Sequence, residues 1–462
     1  MIYASYNDTD DFMFRSFSLH SKIFHQDNLK NYFMISSGTN QFAMPDIWKY
    51  SIYKEVESDF LYRWYTSCEG FQCITSAVKA YEDFISSDIN DRLSKNKRKV
   101  CMTLGGSGAA SHVFDYLSNK YHDCTVVSVG MNYSLYYRLA RKHDFQFVEL
   151  CSEQDYHVIP EPDCFSSLNA KNKLVFVFSL PNNPTGETYD VDAFSKIVSA
   201  IKKLSGFIIM DCVCDIVISL TPHPFLRRII TQHDLWDSCA VVNSFSKSDA
   251  IAGLRIGYVY GTEELIKFCS NINAKTIMNP PTFPAFPVVL TCMFRCLFIN
   301  QNCYNFAVAS KRIISFYRKL FFITSAIVPP KMQEYAETVF DNTHALYDSY
   351  IMQMLNNEKV MNSNVSNTIN IFQPYLSHIS KIKHGFNFCL WFSNKLTMDE
   401  MMLINALIKN TGVAILTESS FTTRRADPKN YFIRFSTACD EQKYVYALNR
   451  MRIYMEKEVF LI

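Results

Sequence analysis

This sequence lacks the features that identify membrane proteins, nucleic-acid-binding proteins and secreted proteins. Over 462 residues, no apolar run reaches the roughly 18 residues that a membrane-spanning helix needs. Lys and Arg number 46 against 44 Asp and Glu, so the composition gives no reason to expect nucleic acid or a membrane surface as a partner. The first eleven residues are polar and acidic, and we therefore expect no secretory signal.

Regular cysteine spacing is also missing. The 15 cysteines do not form the pattern of a disulfide framework. Cys212 and Cys214 are separated by one residue, but no second pair of cysteines or histidines stands at the spacing of a zinc site. We therefore expect reduced thiols, no bound metal and a cytoplasmic protein.

The chain does contain the composition and patterning of a globular α/β protein, with 48% hydrophobic and 19% charged residues. Residues 109–120 have the helical spacing of apolar positions. Short apolar runs stand at 100–104, 125–129, 174–180, 207–210 and 240–242. Strands that are apolar on both faces and alternate with helices predict a mostly parallel sheet covered by helices.

The length predicts more than one domain. Residues 1–60 are irregular and aromatic-rich and are predicted to form an N-terminal arm. Residues 61–320 contain the alternating pattern and form a large domain, and residues 321–462 form a smaller C-terminal α/β domain. Its clearest strands are 387–392 and 431–435. Residues 356–383 are polar without clear periodicity, which predicts a loop or insertion.

The strongest chemical signal is the surroundings of Lys247. Ser244 and Ser246 precede it, and Arg255 follows in a Gly-Leu-Arg-Ile-Gly string. Hydroxyls and a guanidinium that converge beside a lysine amine describe a phosphate site next to a nucleophile. Pyridoxal 5'-phosphate suits this combination, because its aldehyde forms a Schiff base with a lysine. A solvated surface lysine is the alternative interpretation.

Other candidate residues stand at the ends of predicted strands or within them. Gly-Gly-Ser-Gly at 105–108 lies where a strand should turn into a helix, whose N-terminus favours an anion, although such strings also occur in ordinary turns. Asp211 ends an apolar strand, where parallel sheets bind ligands, or else it caps a helix. Arg434 is flanked by apolar strand residues and needs an anion, for which a carboxylate is the natural bidentate partner.

Taken in chain order, these motifs resemble the class I/II aminotransferases, which are fold-type I enzymes dependent on pyridoxal phosphate. The lysine string, the Gly-Leu-Arg-Ile-Gly string and an Asn-Pro-Thr-Gly turn at 183–186 carry the resemblance, which extends over roughly residues 36 to 455. It implies a large domain with a mostly parallel sheet, a smaller C-terminal domain and a homodimer. It also implies an enzyme of amino-acid metabolism that acts on an amino acid and a 2-oxo acid.

The resemblance implies a cofactor role for individual residues. It assigns Ser107, Gly108 and Ala109 to the phosphate, beside the serines and the arginine near Lys247. Tyr133 would stack on the pyridine ring, Asn183 would hydrogen-bond the phenolic oxygen, and Asp211 would keep the ring nitrogen protonated. Lys247 and Asp211 are therefore the predicted catalytic residues.

The resemblance also implies contacts with the substrate and with a second subunit. Arg434 would bind the α-carboxylate of the substrate, and Gly38 matches the segment that closes over it. Asn183 would contribute to the same site. Tyr65 would reach the phosphate of the neighbouring subunit's cofactor, or it is a buried core tyrosine.

Two positions depart from the family pattern. Met131 stands where the family usually has a proline, and Cys214 stands where a tyrosine usually helps Asn183 to hold the phenolic oxygen. A thiol is a weak donor. An aminotransferase is the favoured interpretation, with another pyridoxal-phosphate enzyme (a lyase, decarboxylase, racemase or cyclase) as the alternative. A non-catalytic regulatory or scaffold module is the second alternative. Arg424 and Arg425 are either a second carboxylate site or solvated loop charges.

Overall fold

A computed structural model of the chain describes most of its residues. The described ranges are 32–86, 98–150, 159–165, 168, 171–215, 226–281, 283–302, 305–324, 327–392, 396–423 and 430–460, with 2, 3, 12, 15, 16 and 18. The strands in them are β1 (Ile2–Tyr3), β2 (Phe33–Met34), β3 (Arg98–Leu104), β4 (Cys124–Val129), β5 (Gln146–Leu150), β6 (Lys173–Ser179), β7 (Phe207–Asp211), β8 (Cys239–Ser244), β9 (Ile256–Thr262), β10 (Leu376–Ile379), β11 (Asn387–Phe392), β12 (Val413–Ala414), β13 (Leu416–Thr417) and β14 (Ile433–Ser436).

Helices occur between most of these strands. They are α1 (Asp46–Glu57), α2 (Gln72–Ser86), α3 (Gly105–Tyr121), α4 (Leu135–Lys142), α5 (Val191–Lys203), α6 (Leu226–Gln232), α7 (Glu263–Thr276), α8 (Phe286–Asn300), α9 (Phe306–Thr324), α10 (Pro330–Asp341), α11 (Thr343–Phe372), α12 (Glu400–Thr411) and α13 (Glu441–Glu458). In the part of the chain that the structure describes, no helix is long and apolar enough to cross a membrane.

The chain divides into two compact units. The lysine unit, which contains Lys247, consists of Ala43–His122 and Asp190–Asn356. The arginine unit, which contains Arg434, consists of Met1–Phe42, Asp123–Tyr189 and Asn357–Ile462.

The lysine unit is built on four strands with helices packed on them. Strands β7 and β8 are parallel, whereas β9 runs antiparallel to both β8 and β3. Every residue of β7 and β8 is buried. Helix α3 packs on β8 and β9, and α7 packs on β3 and β9. The helices therefore cover strands that are apolar on both faces, as the sequence pattern predicts.

The described part of the arginine unit contains three groups of strands, of which one is the parallel pair β12 and β2. Strands β5, β4 and β6 are parallel neighbours in that order, and β1 pairs antiparallel with β5. Strands β10, β11, β14 and β13 form an antiparallel sheet in that order. Residues of α12 and α13 join β11 and β14 in one apolar core. The predicted strands at 387–392 and 431–435 are thus confirmed as β11 and, in part, β14.

The prediction of a loop over residues 356–383 is wrong. Helix α11 continues to Phe372, a 3₁₀ turn follows, and β10 covers residues 376–379. The helical period escapes notice because two of its buried positions are polar, Asn364 and Thr368. The Asn364 amide N–H groups donate to the carbonyl oxygens of Thr437 (2.9 Å) and Cys439 (3.0 Å), which ties this buried polar side chain to a distant part of the chain.

The prediction that residues 1–60 are irregular is wrong for α1. This helix buries Ile47, Trp48, Ser51 and Glu55, so polar residues again occupy the inner face. The Glu55 carboxyl group accepts hydrogen bonds from the backbone N–H of Ala285 (3.0 Å) and of Phe286, the first residue of α8. Glu55 therefore acts as a remote cap for the N-terminus of α8.

We predict that Glu55 makes the stability of the chain depend on pH. Burial raises the pKa of the Glu55 carboxyl from 4.5 to about 8, although the two backbone hydrogen bonds act in the opposite direction. Between these values the unfolded carboxyl is ionised while the folded one keeps its proton, so stability falls as pH rises. We compare the free energy of unfolding of wild type with that of Glu55→Gln, which has no titrating group at this position. The difference, wild type minus variant, should fall by on the order of 4 kcal/mol between pH 4.5 and 8.

Urea denaturation at several pH values measures this difference. Glu57→Gln is the matched control, because Glu57 lies on the same helix and is exposed. A constant difference between wild type and Glu55→Gln across this pH range would refute the role given to Glu55.

Candidate functional site

The start of helix α3 and the start of strand β9 lie against each other in the lysine unit. The backbone N–H of Gly105 donates to the carbonyl of Arg255 (2.9 Å). A Cβ at Gly257 would come 2.3 Å from the carbonyl carbon of Gly105, so no larger residue fits there. The helix begins at Gly105 with φ +70°, four residues before the predicted range. The predicted turn from strand to helix is confirmed.

Arg255 crosses this helix start. Its guanidinium donates to the carbonyl oxygens of Leu104 (3.2 Å) and Ala252 (3.1 Å). The side chain is exposed, and it forms no ion pair with a carboxylate of the described residues. A cation and the N-terminus of a 17-residue helix therefore stand together, which is an arrangement that binds anions. Of the predicted phosphate residues on α3, Ser107 is exposed, Gly108 is half-buried and Ala109 is buried.

The strand register brings the two serines before Lys247 to the same place. Ser244 is the last residue of β8 and stands opposite Gly257 of β9. The Ser246 N–H donates to Ser244 Oγ (3.3 Å), and both serines are buried. Lys247 follows in the turn and is half-buried. The serines and Arg255, which the sequence predicts to converge, therefore lie at adjacent strand ends.

Asp211 lies at the end of β7, opposite Val242 of β8, and is buried. The Val213 N–H donates to Asp211 Oδ1 (3.0 Å). A Cβ on Gly106 would come 2.4 Å from Val213 Cγ2, so the segment after Asp211 packs on the start of α3. The thiol of Cys214 is buried in this segment. Among the described residues, no group of three His, Cys, Asp or Glu side chains could hold a metal ion.

In the arginine unit, the structure brings together the three predicted substrate residues. Arg434 is 2% exposed and lies between Cys389 of β11 and Leu416 of β13. Its Nη1 donates to Asn183 Oδ1 (2.7 Å), and its Nη2 donates to the carbonyl oxygen of Ser36. The guanidinium also lies 4.7 Å from the centre of the Phe421 ring.

Gly38 completes this cluster. Its φ is +62°, and a Cβ would come 3.1 Å from Arg434 Nη2. The Gly38 N–H donates to Ser436 Oγ (3.0 Å) on the strand that carries Arg434. Both the backbone conformation and the space therefore favour glycine beside the guanidinium.

Two asparagines that the sequence interpretation overlooked hold the loops of Tyr133 and Asn183. The Asn182 amide donates to the carbonyl of Met131 (2.9 Å), and its Oδ1 accepts the Thr185 N–H (3.2 Å). Asn132 Oδ1 accepts the N–H of Tyr133 (2.8 Å), which is itself half-buried. Met131, in the usual proline position, is buried. Its backbone carbonyl accepts the hydrogen bond from the Asn182 amide.

Tyr65 is 89% exposed, which excludes a buried core tyrosine within the single chain. It precedes a short turn in which Ser67 pairs with Gly70, and the Asn273 amide donates to the Cys68 carbonyl in that turn (2.7 Å). Arg424 and Arg425 lie outside the described residues.

Residues 36–451 match the sequence pattern of the family described as aminotransferase class I and II. The chain belongs to this family. It is similar to a probable aspartate aminotransferase of Methanocaldococcus jannaschii, with 26% identity over 200 residues that are 43% of this chain and 51% of that protein. It is also similar to an aspartate/prephenate aminotransferase of Thermus thermophilus, with 23% identity over 41% of this chain and 48% of that protein. These matches span about half the length of the relatives.

Solved structures resemble the chain over almost its whole length. An aspartate aminotransferase single mutant of Thermus thermophilus has a TM-score of 0.68 at 16% identity, covering 95% of this chain and 96% of that chain. Thermotoga maritima aspartate aminotransferase has a TM-score of 0.66 at 16% identity, covering 97% and 100%. At this identity the likeness establishes the fold. The predicted fold-type I architecture, α/β with a mainly parallel sheet, is confirmed.

Proposed function

We propose that the chain is a pyridoxal-phosphate-dependent aminotransferase that transfers an amino group from an amino acid to a 2-oxo acid. The observation that carries the proposal is the Arg434 guanidinium held by Asn183 and by the Ser36 carbonyl beside Gly38. Three segments that are far apart in the chain, around Gly38, Asn183 and Arg434, thus meet at one buried cation. Such a cation suits a carboxylate, which all amino acids and 2-oxo acids carry.

The residues of the lysine unit fit pyridoxal phosphate. Arg255 at the start of α3 places positive charge where the helix dipole also favours an anion. The other donors to the phosphate would be Ser107, Gly108, Ala109, Ser244 and Ser246. The buried Asp211 carboxylate, oriented by the Val213 N–H, suits a protonated ring nitrogen.

Each side chain would then have a separate task. When bound, the cofactor supplies a ring that withdraws electrons from the α-carbon of an amino acid. The Lys247 amine would hold the cofactor at rest and move the α-carbon proton once the substrate amine has displaced it. Arg434 would bind the substrate carboxylate, and the Tyr133 ring would stack on the cofactor.

Asn183 would connect the substrate carboxylate site with the cofactor. Its Oδ1 accepts from Arg434, which leaves the amide N–H groups as donors for the phenolic oxygen. Cys214 stands where a tyrosine would supply a second donor, and a thiol is weaker. Losing one neutral hydrogen bond costs about 1 kcal/mol, which is too little to abolish the chemistry.

We also propose that the enzyme is a cytoplasmic homodimer. Tyr65 is 89% exposed beside Trp64, which is 62% exposed, and exposed aromatic clusters favour association.

Our proposed functional division of the chain remains an arm of residues 1–60, a large domain of residues 61–320 and a small domain of residues 321–462. Among the described residues, the cysteines are not joined in disulfides, which fits a reducing compartment.

Borohydride reduction tests the proposal directly. We predict that the protein incubated with pyridoxal phosphate and then reduced carries the adduct on Lys247, because this lysine follows the two serines at the end of β8. Peptide mapping by mass spectrometry identifies the labelled residue. Lys247→Ala is the control and should take up no stoichiometric label. An adduct on a different lysine, or none, would reject the assignment.

Arg434→Ala should lower kcat/KM for amino acids about a hundredfold or more, because a charge-assisted bidentate contact in a desolvated site contributes roughly 3 kcal/mol. The kcat/KM of Arg434→Lys should lie between those of wild type and Arg434→Ala, since an ammonium keeps the charge but loses the planar, bidentate geometry of the guanidinium. Steady-state kinetics measures both.

An amine without a carboxyl group separates carboxylate binding from general damage. Its slow reaction should be equal in wild type and Arg434→Ala. If Arg434→Ala impairs the amine and the amino acid alike, Arg434 does not recognise the carboxylate.

A further inference from the structure

Helix α8 contains a buried charged residue although the helix is otherwise almost entirely apolar. Fourteen of its fifteen residues are buried, and nearly all of them are apolar. Arg295 lies in the middle of this helix, and its side chain is 5% exposed. An unpaired guanidinium there would be strongly disfavoured by its desolvation. Arg295 must therefore be stabilised by partners within the fold, and these partners indicate its role.

Arg295 contacts the turn that carries Lys247. Its Nη2 donates to Asp249 Oδ2 (2.6 Å) and to Ser248 Oγ (2.6 Å). Ser248 Oγ donates in turn to Asp249 Oδ2 (2.7 Å), and Tyr350 OH donates to Asp249 Oδ1 (3.1 Å). The guanidinium also lies 5.1 Å from the centre of the Phe245 ring. Residues on both sides of Lys247 are thus attached to α8.

The turn has helical geometry, which separates its two faces. The Asp249 N–H donates to the Phe245 carbonyl (3.1 Å), as in one turn of an α-helix. At about 100° per residue, positions 245, 248 and 249 share one face, and position 247 lies opposite. The face toward α8 is buried, whereas Lys247 is only half-buried. Arg295 therefore holds the turn from the side that faces away from the amine.

We propose that Arg295, through Asp249, Ser248 and the Phe245 ring, is a positioning residue that fixes the turn from which Lys247 acts. This proposal deepens the proposed function, because it matters for catalysis only if Lys247 is the reactive lysine. The alternative role for the same contacts is stability alone.

A double variant separates positioning from stability. Asp249→Asn with Arg295→Met removes both charges together and so leaves no unpaired buried charge, which keeps the cost in stability small. It still removes the hydrogen bonds from α8 to Ser248 and Asp249. Glu55→Gln is the matched control, because Glu55 is also a buried ionisable side chain that contacts α8, but its hydrogen bonds go to the N-terminus of that helix.

Three measurements on the full chain report on the double variant. Thermal unfolding gives stability. Competitive acetylation across pH, followed by peptide mapping, gives the reactivity and titration of the Lys247 amine without cofactor. Steady-state kinetics of the loaded protein gives kcat and KM.

We expect the double variant to unfold close to the wild-type temperature and to have a shifted Lys247 acetylation profile. Its kcat should fall about tenfold to a hundredfold with KM nearly unchanged, the size expected when a reacting group is misplaced by a fraction of its diameter. Glu55→Gln at pH 7 should match wild type in the Lys247 acetylation profile and in kcat and KM, whatever its thermal stability.

If the double variant keeps the wild-type Lys247 profile and kcat, the pair is structural only and the proposal is overturned. Should that variant not fold, Ser248→Ala and Arg295→Lys make smaller changes and should move the profile in the same direction. Wild-type behaviour in both would overturn it as well. The two proposals can also fail separately. If the double variant shifts the Lys247 acetylation profile but borohydride does not trap Lys247 in the wild type, Arg295 positions the turn and the proposed function is rejected.

Discussion

The close approach of two glycines is the constraint on which the candidate anion site of the lysine unit depends. Gly257 at the start of β9 lies against the backbone of Gly105 at the start of α3, with no space for a Cβ. Because β9 is held there, Arg255 crosses the helix terminus, and the register places Ser244 of β8 opposite Gly257. Main-chain packing thus sets the positions of the helix start, Arg255 and Ser244 relative to one another.

Three arginines of the lysine unit differ in burial, and the buried ones are paired with carboxylates whereas the exposed one is not. Arg227 and Arg295 are buried, and each pairs with a buried carboxylate, Glu82 and Asp249 respectively. Arg255 is exposed and donates only to carbonyl oxygens among the described residues. The first two charges are therefore neutralised within the fold, whereas the third can still attract an anion.

The sequence predicts the fold where apolar periodicity is intact and misses it where buried positions are polar. The runs that become β3, β4, β6, β7 and β8 are continuous and therefore visible. Helices α1 and α11 were hidden because Glu55, Asn364 and Thr368 occupy inner positions and find partners far away in the chain. Motif order predicted that Gly38, Asn183 and Arg434 act together. The roles of Asn182 and Arg295 could not be predicted, since their partners are defined only by the folded chain.

The central claim is that this chain transfers an amino group from an amino acid, and a single-turnover experiment tests it most directly. The loaded protein is mixed with each common amino acid in turn, without a 2-oxo acid acceptor, and the products are quantified by mass spectrometry. The account predicts that at least one amino acid yields its 2-oxo acid in an amount equal to the number of Lys247 sites, with the amino group retained on the cofactor. Release of a decarboxylated, racemised or cyclised product, with no 2-oxo acid from any amino acid, would contradict it.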